Sequence, residues 1–260
     1  MKSSFSILLV FVFTILFSQS FAADRYFKTG ATSWGSASSW SATSPSGTDN
    51  AGVPTSADRA IFQAGSGNCS LSSTTNVRGI LIQTGYTGTI TQGSNQIEVG
   101  SLGFTQEGGV FNSGANVTVS GGFSISGGTY SASASLNLSG TVNIGSAYFI
   151  ANSSQVNISN SLTNTLDGIT FNDLTLSGSQ TVSITNSVIV NGNLIIQGLT
   201  AINGAPLQVK GHVTNSVSGW SGNSKIVFIG STAVQNILGT SQFFGRSEEH
   251  TSELQSPCNL

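Results

Sequence analysis

Apolar residues return along this chain in pairs that flank a single polar position, and the pairs themselves return about every twenty residues. Ile97 and Val99 are followed by Val117 and Val119, Leu136 and Leu138, Val156 and Ile158, Leu174 and Leu176, and Leu194 and Ile196. The steps between successive copies are 20, 19, 20, 18 and 20 residues. A period of two is that of a β-strand with one buried face. Carried on a fixed longer period, it marks a chain of stacked repeats. A second column runs from Leu102 and Phe104 to Phe123 and Ile125, then Val142 and Ile144, Val182 and Ile184, and Ile202. A third runs through Tyr130, Phe149 and Ile169, then Val188 and Val190, then Leu207 and Val209. Between the pairs lie Ser120-Gly121-Gly122, Ser126-Gly127-Gly128, Ser139-Gly140 and Asn191-Gly192, residues that tight turns select.

Three columns per period predict three short strands per rung. An antiparallel sandwich would also alternate, but its hairpins need no fixed period. A strand that returns after a full circuit runs parallel to its predecessor, and such crossovers are right-handed. The expected fold is therefore all-β, a right-handed parallel β-helix with rungs of about 20 residues. The pattern fails once. Val142 and Ile144 point to Leu162 and Asn164. An inward Asn would need hydrogen-bond partners, so the simpler expectation is a bulge or wider loop between Asn164 and Gly168.

Residues 23–70 depart from the repeat. Tyr26-Phe27 and Ala60-Ile61-Phe62 read as short strands, Ser44 to Asn50 as a turn-rich loop, and Trp34 and Trp40 sit in a Ser- and Gly-rich stretch. The open end of a coil needs an atypical terminal repeat. This region is expected to be an N-terminal cap, its tryptophans covering the core rather than holding a sugar. Residues 71–245 are assigned to the β-helix.

The two ends read differently. Lys2, the apolar run Ile7 to Phe17 and the small-x-small site Ser20-Phe21-Ala22 form a secretory signal peptide over residues 1–22. Its apolar run is too short to span a bilayer. The expected location is secreted or cell-surface, with no membrane span after cleavage. Arg246 to Ser256 resembles the conceptual translation of a sequencing-adapter oligonucleotide, so residues 246–260, with His250 and Cys258, are set aside as an artefact.

Between those ends stand six bases and seven acids, a net charge of −1. Such a chain has no basic field for nucleic acid or anionic lipid. Cys69 is the one native cysteine, which leaves no disulfide framework within this stretch. The coil offers four acids, Glu98, Glu107, Asp167 and Asp173. Glycosidic chemistry needs two carboxylates facing one bond. Glu98 and Asp173 share a column but lie four rungs apart, about 19 Å at the spacing of stacked strands. Glu107 reads as a turn residue and Asp167 as part of the irregular loop. His212 has no Cys or acid at ligand spacing, and no phosphate loop or nucleophile elbow is present. No catalytic, metal or cofactor residues are assigned. The outward positions Thr118, Asn137, Asn157 and Thr175, with Ser124, Asn143 and Thr163 beside them, form a neutral hydrogen-bonding surface.

Segments such as Ile169-Thr170-Phe171-Asn172-Asp173-Leu174-Thr175-Leu176, Val190-Asn191-Gly192-Asn193-Leu194 and Val209-Lys210-Gly211-His212-Val213 resemble the rungs of very large secreted β-helical surface proteins of Gram-negative bacteria. Trp40-Ser41 and Pro54-Thr55-Ser56-Ala57-Asp58 resemble the opening of those proteins. Many carry a type IX secretion sorting domain at their far end. The resemblance implies an adhesin-like surface scaffold, with extracellular glycans or neighbouring cell-surface proteins as partners. The alternative is the N-terminal part of a carbohydrate-active β-helix enzyme, a polysaccharide lyase or hydrolase, with its active site in further sequence.

Overall fold

Each apolar pair of the first column lies directly on its copy in the next rung. In the computed structural model, Val117–Val119 pairs in parallel with Ile97 to Val99 on one side and with Leu136–Leu138 on the other. Leu136–Leu138 pairs in turn with Val156 to Ile158, which pairs with Leu174 to Leu176, then Leu194–Ile196, then Val213–Asn215. The structure describes residues 23–145, 148–198, 200–216, 221–230 and 237–239. Across them the chain is an all-β parallel solenoid, with a short 3-10 turn at Ala37–Ser39. Residues 1–22, expected to be a signal peptide, the tail 246–260, Trp220, Val234 and Phe244 lie outside the described residues.

The interior follows from the two-residue period. In the three-residue strands of the first column the outer positions are buried and the middle one is more open, as in Val117–Val119 and Leu136–Leu138. Because the ladders are parallel and in register, like side chains stack at the rung spacing of about 4.8 Å. The rings of Phe111 and Tyr130 lie 5.1 Å apart and those of Tyr130 and Phe149 5.7 Å, both nearly parallel. At the N-terminal end Phe27, Trp34, Trp40 and Phe62 form one buried aromatic cluster. Trp40 donates its indole N–H to the Trp34 carbonyl at 2.7 Å. Stacking extends through this capping region, with Asp24 to Tyr26 parallel on Arg59 to Ile61, and Arg59–Phe62 parallel on Gly79 to Ile82.

The second column follows its apolar pairs from Phe123 and Ile125 to Val142 and Ile144, and from Val182 to Ile202, but its first step does not. Phe104 and Gln106, not Leu102 and Phe104, pair with Phe123 and Ile125. Leu102 faces solvent, and Gln106 is fully buried. Gly103 takes a positive φ of 74° and turns the chain between the first two columns. The buried Gln106 donates its Nε2 to the carbonyls of Gly108, Gly109 and Thr129, while its Oε1 has no partner among the described residues.

The same correction applies at the break in the repeat. There is no bulge or loop from Asn164 to Gly168. Thr163–Asp167 is a regular strand in register with Thr181–Ile184, and its Thr165 and Leu166 lie on Asn143 and Ile144. Asn164 points inward, is fully buried, and has the partners an inward Asn requires. Its Oδ1 accepts from the Val142 amide at 2.9 Å and the Asn160 amide at 3.0 Å. Its Nδ2 donates to Asn160 Oδ1 at 3.0 Å and Gln180 Oε1 at 2.9 Å. The extra residues sit in the preceding corner, where Leu162 is exposed.

The third column is continuous only in its side chains. Cys69–Ser70, Thr89–Thr91, the end of Ile97–Ser113, the end of Phe123–Ala132, and Phe149–Ile150 are laddered together. Thr170–Phe171, Val188–Val190, Leu207–Val209 and Ile226–Phe228 form a separate sheet. No ladder joins Phe149–Ile150 to Thr170–Phe171. The rings of Phe149 and Phe171, 5.7 Å apart and tilted by 57°, bridge the step instead.

Candidate functional site

A solenoid presents its outward positions as columns, and three such columns exist here. On the first, Glu98 is followed by Thr118, Asn137, Asn157, Thr175, Ile195 and Thr214. Asn157 donates to Asn137 Oδ1 at 2.8 Å, so these amides satisfy each other along the column. Thr175 is buried, which interrupts the exposed surface expected there. On the second, Thr105, Ser124, Asn143, Thr165, Ser183 and Asn203 lie in unbroken register, and all six retain solvent exposure. The corrected register puts Thr165, rather than Thr163, beside Asn143; Thr163 pairs with Thr181. On the third, Thr91, Asn112, Ser131, Ile150, and then Thr170, Ile189 and Gln208 mix polar and apolar positions.

The four acids of the coil are dispersed. Glu98 accepts from Asn76 at 2.9 Å. Glu107 accepts from the Thr84 hydroxyl at 3.3 Å, within the strand Ile97–Ser113 at a corner of the coil. Asp167 lies in a strand, not a loop, and accepts from Asn186 at 2.6 Å. Asp173 accepts from the Asn193 amide at 2.7 Å and the Asn172 side chain at 2.8 Å. The ladder from Glu98 to Thr175, two residues beyond Asp173, climbs four rungs, about 19 Å, so these carboxylates cannot share one bond. The exposed His212 hydrogen-bonds through its backbone amide to Asn193 Oδ1 at 3.0 Å. Among the described residues no three His, Cys, Asp or Glu side chains gather where they could hold a metal ion. Burial pushes the Cys69 thiol far above its ordinary range and keeps it protonated, which makes it a poor nucleophile.

Among the concavities of the surface, two have linings that bear on function. One, of about 400 Å³, lies beside the cap and is lined by Lys28 and by small polar residues from Thr29 to Ser39. Lys28 is already engaged there, donating to the Asp49 carbonyl at 2.9 Å and to Asn50 Oδ1 at 3.3 Å. The other, of about 350 Å³, lies at the dislocation in the third column, lined by Phe149, Ile150, Ala151, Asn152, Thr170 and Asn191. Its origin is the missing ladder between Phe149–Ile150 and Thr170–Phe171. The apolar pairs carry no trace of it, because hydrogen bonding between backbones leaves no mark on side-chain spacing. The one sequence signal was Ile150, an apolar residue at an outward position, which is 50% exposed.

No family model matches this chain, and no curated protein or solved structure matches it either.

Proposed function

We propose that the chain is a non-enzymatic, exported structural protein, an adhesin-like scaffold at or beyond the cell surface. It would serve as a stiff coil that presents neutral hydrogen-bonding faces to extracellular glycans or neighbouring surface proteins. The observation that carries this reading is the second outward column. Its six rungs of Thr, Ser and Asn span about 24 Å at 4.8 Å per rung, without a charge or an apolar residue among them. Such a face offers a regular row of donors and acceptors to a neutral polymer and nothing to an ionic one. The dispersal of the coil's acids, each with its own hydrogen-bond partner, supports a binding surface over a hydrolytic one. The composition and the leader-like start support export.

The test is retention of the full chain on cellulose, chitin and mannan, with pectate as the anionic control, while soluble reducing ends are measured. The expected result is salt-insensitive retention on at least one neutral polymer with no release of sugar. Release of oligosaccharide would replace the scaffold with an enzyme. Retention on none of the neutral polymers would remove the glycan partner.

A further inference from the structure

The cleft at the dislocation of the third column differs from the flat faces around it, because it combines an apolar floor with convergent amides. Its floor is Phe149, Ala151 and the half-exposed Ile150. Its rim is Asn152, Thr170 and Asn191, all exposed. Asn152 is the only non-glycine residue with a positive φ, 41°, among the described residues. Its Nδ2 donates to Ser131 Oγ at 2.8 Å and lies 3.4 Å from Ser133 Oγ. Those contacts fix the amide plane from behind and leave Oδ1 without a described donor. The Asn191 backbone is anchored by its amide to the Phe171 carbonyl at 2.9 Å. No lining residue carries a charge.

Resting on the glycan-contacting role proposed above, we infer that this cleft is a subsite for one residue of a neutral saccharide. A sugar ring has an apolar face of C–H groups and a rim of hydroxyls. The floor supplies a matching apolar surface, and two carboxamides with a threonine hydroxyl supply both donors and acceptors at the rim. Its volume of about 350 Å³ is near the lower end of the range for small-molecule sites, fit for one ring rather than a long chain. A charged sugar would find no counter-ion here. The flat second column would hold a polymer along its length, whereas this cleft, on the third column, would take a single ring.

The experiment is an amide chemical-shift titration of the full chain with cellobiose and with N,N′-diacetylchitobiose. Digalacturonate serves as the anionic probe and tetra-alanine as the peptide probe. The expected result is saturable shifts at Ile150, Asn152, Thr170 and Asn191 with a neutral disaccharide, and none with the other two probes. Ile150→Glu adds a charge at an exposed position and weakens this binding at least about tenfold. Asn152→Gly, which suits the positive φ, weakens it about three- to tenfold. An unchanged spectrum of resolved strand amides shows that each variant is folded. The inference is overturned if the shifts are absent, lie elsewhere, survive Ile150→Glu, or appear equally with digalacturonate or tetra-alanine. If the unmodified protein is retained on polymer but the disaccharide shifts are absent, or survive Ile150→Glu, the subsite fails while the scaffold reading stands. If the unmodified protein is not retained, the scaffold's glycan partner fails first.

Discussion

Asn164 occupies a position that Phe104, Phe123, Val142, Val182 and Ile202 fill in other rungs. It is stable there only because Asn160 and Gln180 close its hydrogen bonds. Asn160 donates to the Gly140 carbonyl at 2.7 Å, and Gln180 donates to the Ile158 carbonyl at 3.0 Å. Replacing Asn164 with Leu restores the apolar column but leaves the Val142 amide, the Gln180 carbonyl oxygen and half of the Asn160 pairing unsatisfied. Each such group costs roughly 1–3 kcal/mol. The expected loss is about 3 kcal/mol of unfolding free energy in a denaturant titration, and an unchanged value would show that water repairs the network. A second test concerns Asp58, buried beside the cap. Burial raises its pKa, but the Thr55 hydroxyl and amide, with Arg25 at 3.6 Å, outweigh that and hold it below the usual carboxylate value. A depressed carboxylate contributes stability that is fully present above its unfolded pKa of about 3.9 and is lost as pH falls through the folded value. The stability difference between the protein and Asp58→Asn should therefore be constant from pH 7 to 5 and shrink below pH 4. A gap that widens on acidification would contradict the assignment.

Strands here are short, and the corners between them decide how closely rungs approach. A Cβ added at Gly140 would overlap the Gly121 carbonyl of the rung before, and one at Gly198 the Gly178 carbonyl. Since the colliding atoms are backbone, relief requires the rungs to separate, which loosens the ladders on both sides. Gly140→Ala is expected to destabilise by about 2 kcal/mol or more, whereas Ala at the exposed Ser126 should change little. Thermal melts of the two variants separate these outcomes. The same elements show what an apolar pattern reveals and what it hides. The first column was legible because every rung from Ile97 to Ile196 places an apolar residue at both inward positions. The second departs by two residues at its first step, because Leu102-Gly103-Phe104 imitates an inward pair, while the true partner of Ile125 is the buried amide of Gln106; its apolar pairs from Phe123 onward lie as their spacing indicates. Asn164 was displaced for the same reason, its inward position hidden by polarity. Polar residues that reach the interior with their partners are invisible to a pattern that counts only hydrophobes. The cleft was hidden more deeply, because it arises where two backbones fail to pair.

At the scale of the whole molecule, the backbone ladders of the described residues run parallel from a strand to its copy one rung away. The exception lies at the N-terminal end, where Tyr26 and Phe27 pair antiparallel with Ser41 and Trp40. A coil of this kind behaves as a one-dimensional array, with stability close to a sum over rungs and the interfaces between them. A whole rung should then be removable without loss of the fold, provided that the cut preserves register. Deleting residues 117–135 joins Asn116 to Leu136. It places Leu136 and Leu138 on Ile97 and Val99, Val142 over Phe104, and Phe149 over Phe111, each replacing a partner of like character. The loss of Phe123 and Tyr130 from the aromatic stack should lower stability while unfolding stays cooperative. Deleting 117–126 instead removes about half a rung, sets the second column beneath the third, and turns the inward side chains of every later rung against the wrong wall. The first variant should give a strand-rich circular dichroism spectrum with a sharp, lowered melt, and the second an aggregated or unfolded chain. Equal damage from both deletions would mean that the coil depends on something other than neighbour-to-neighbour stacking.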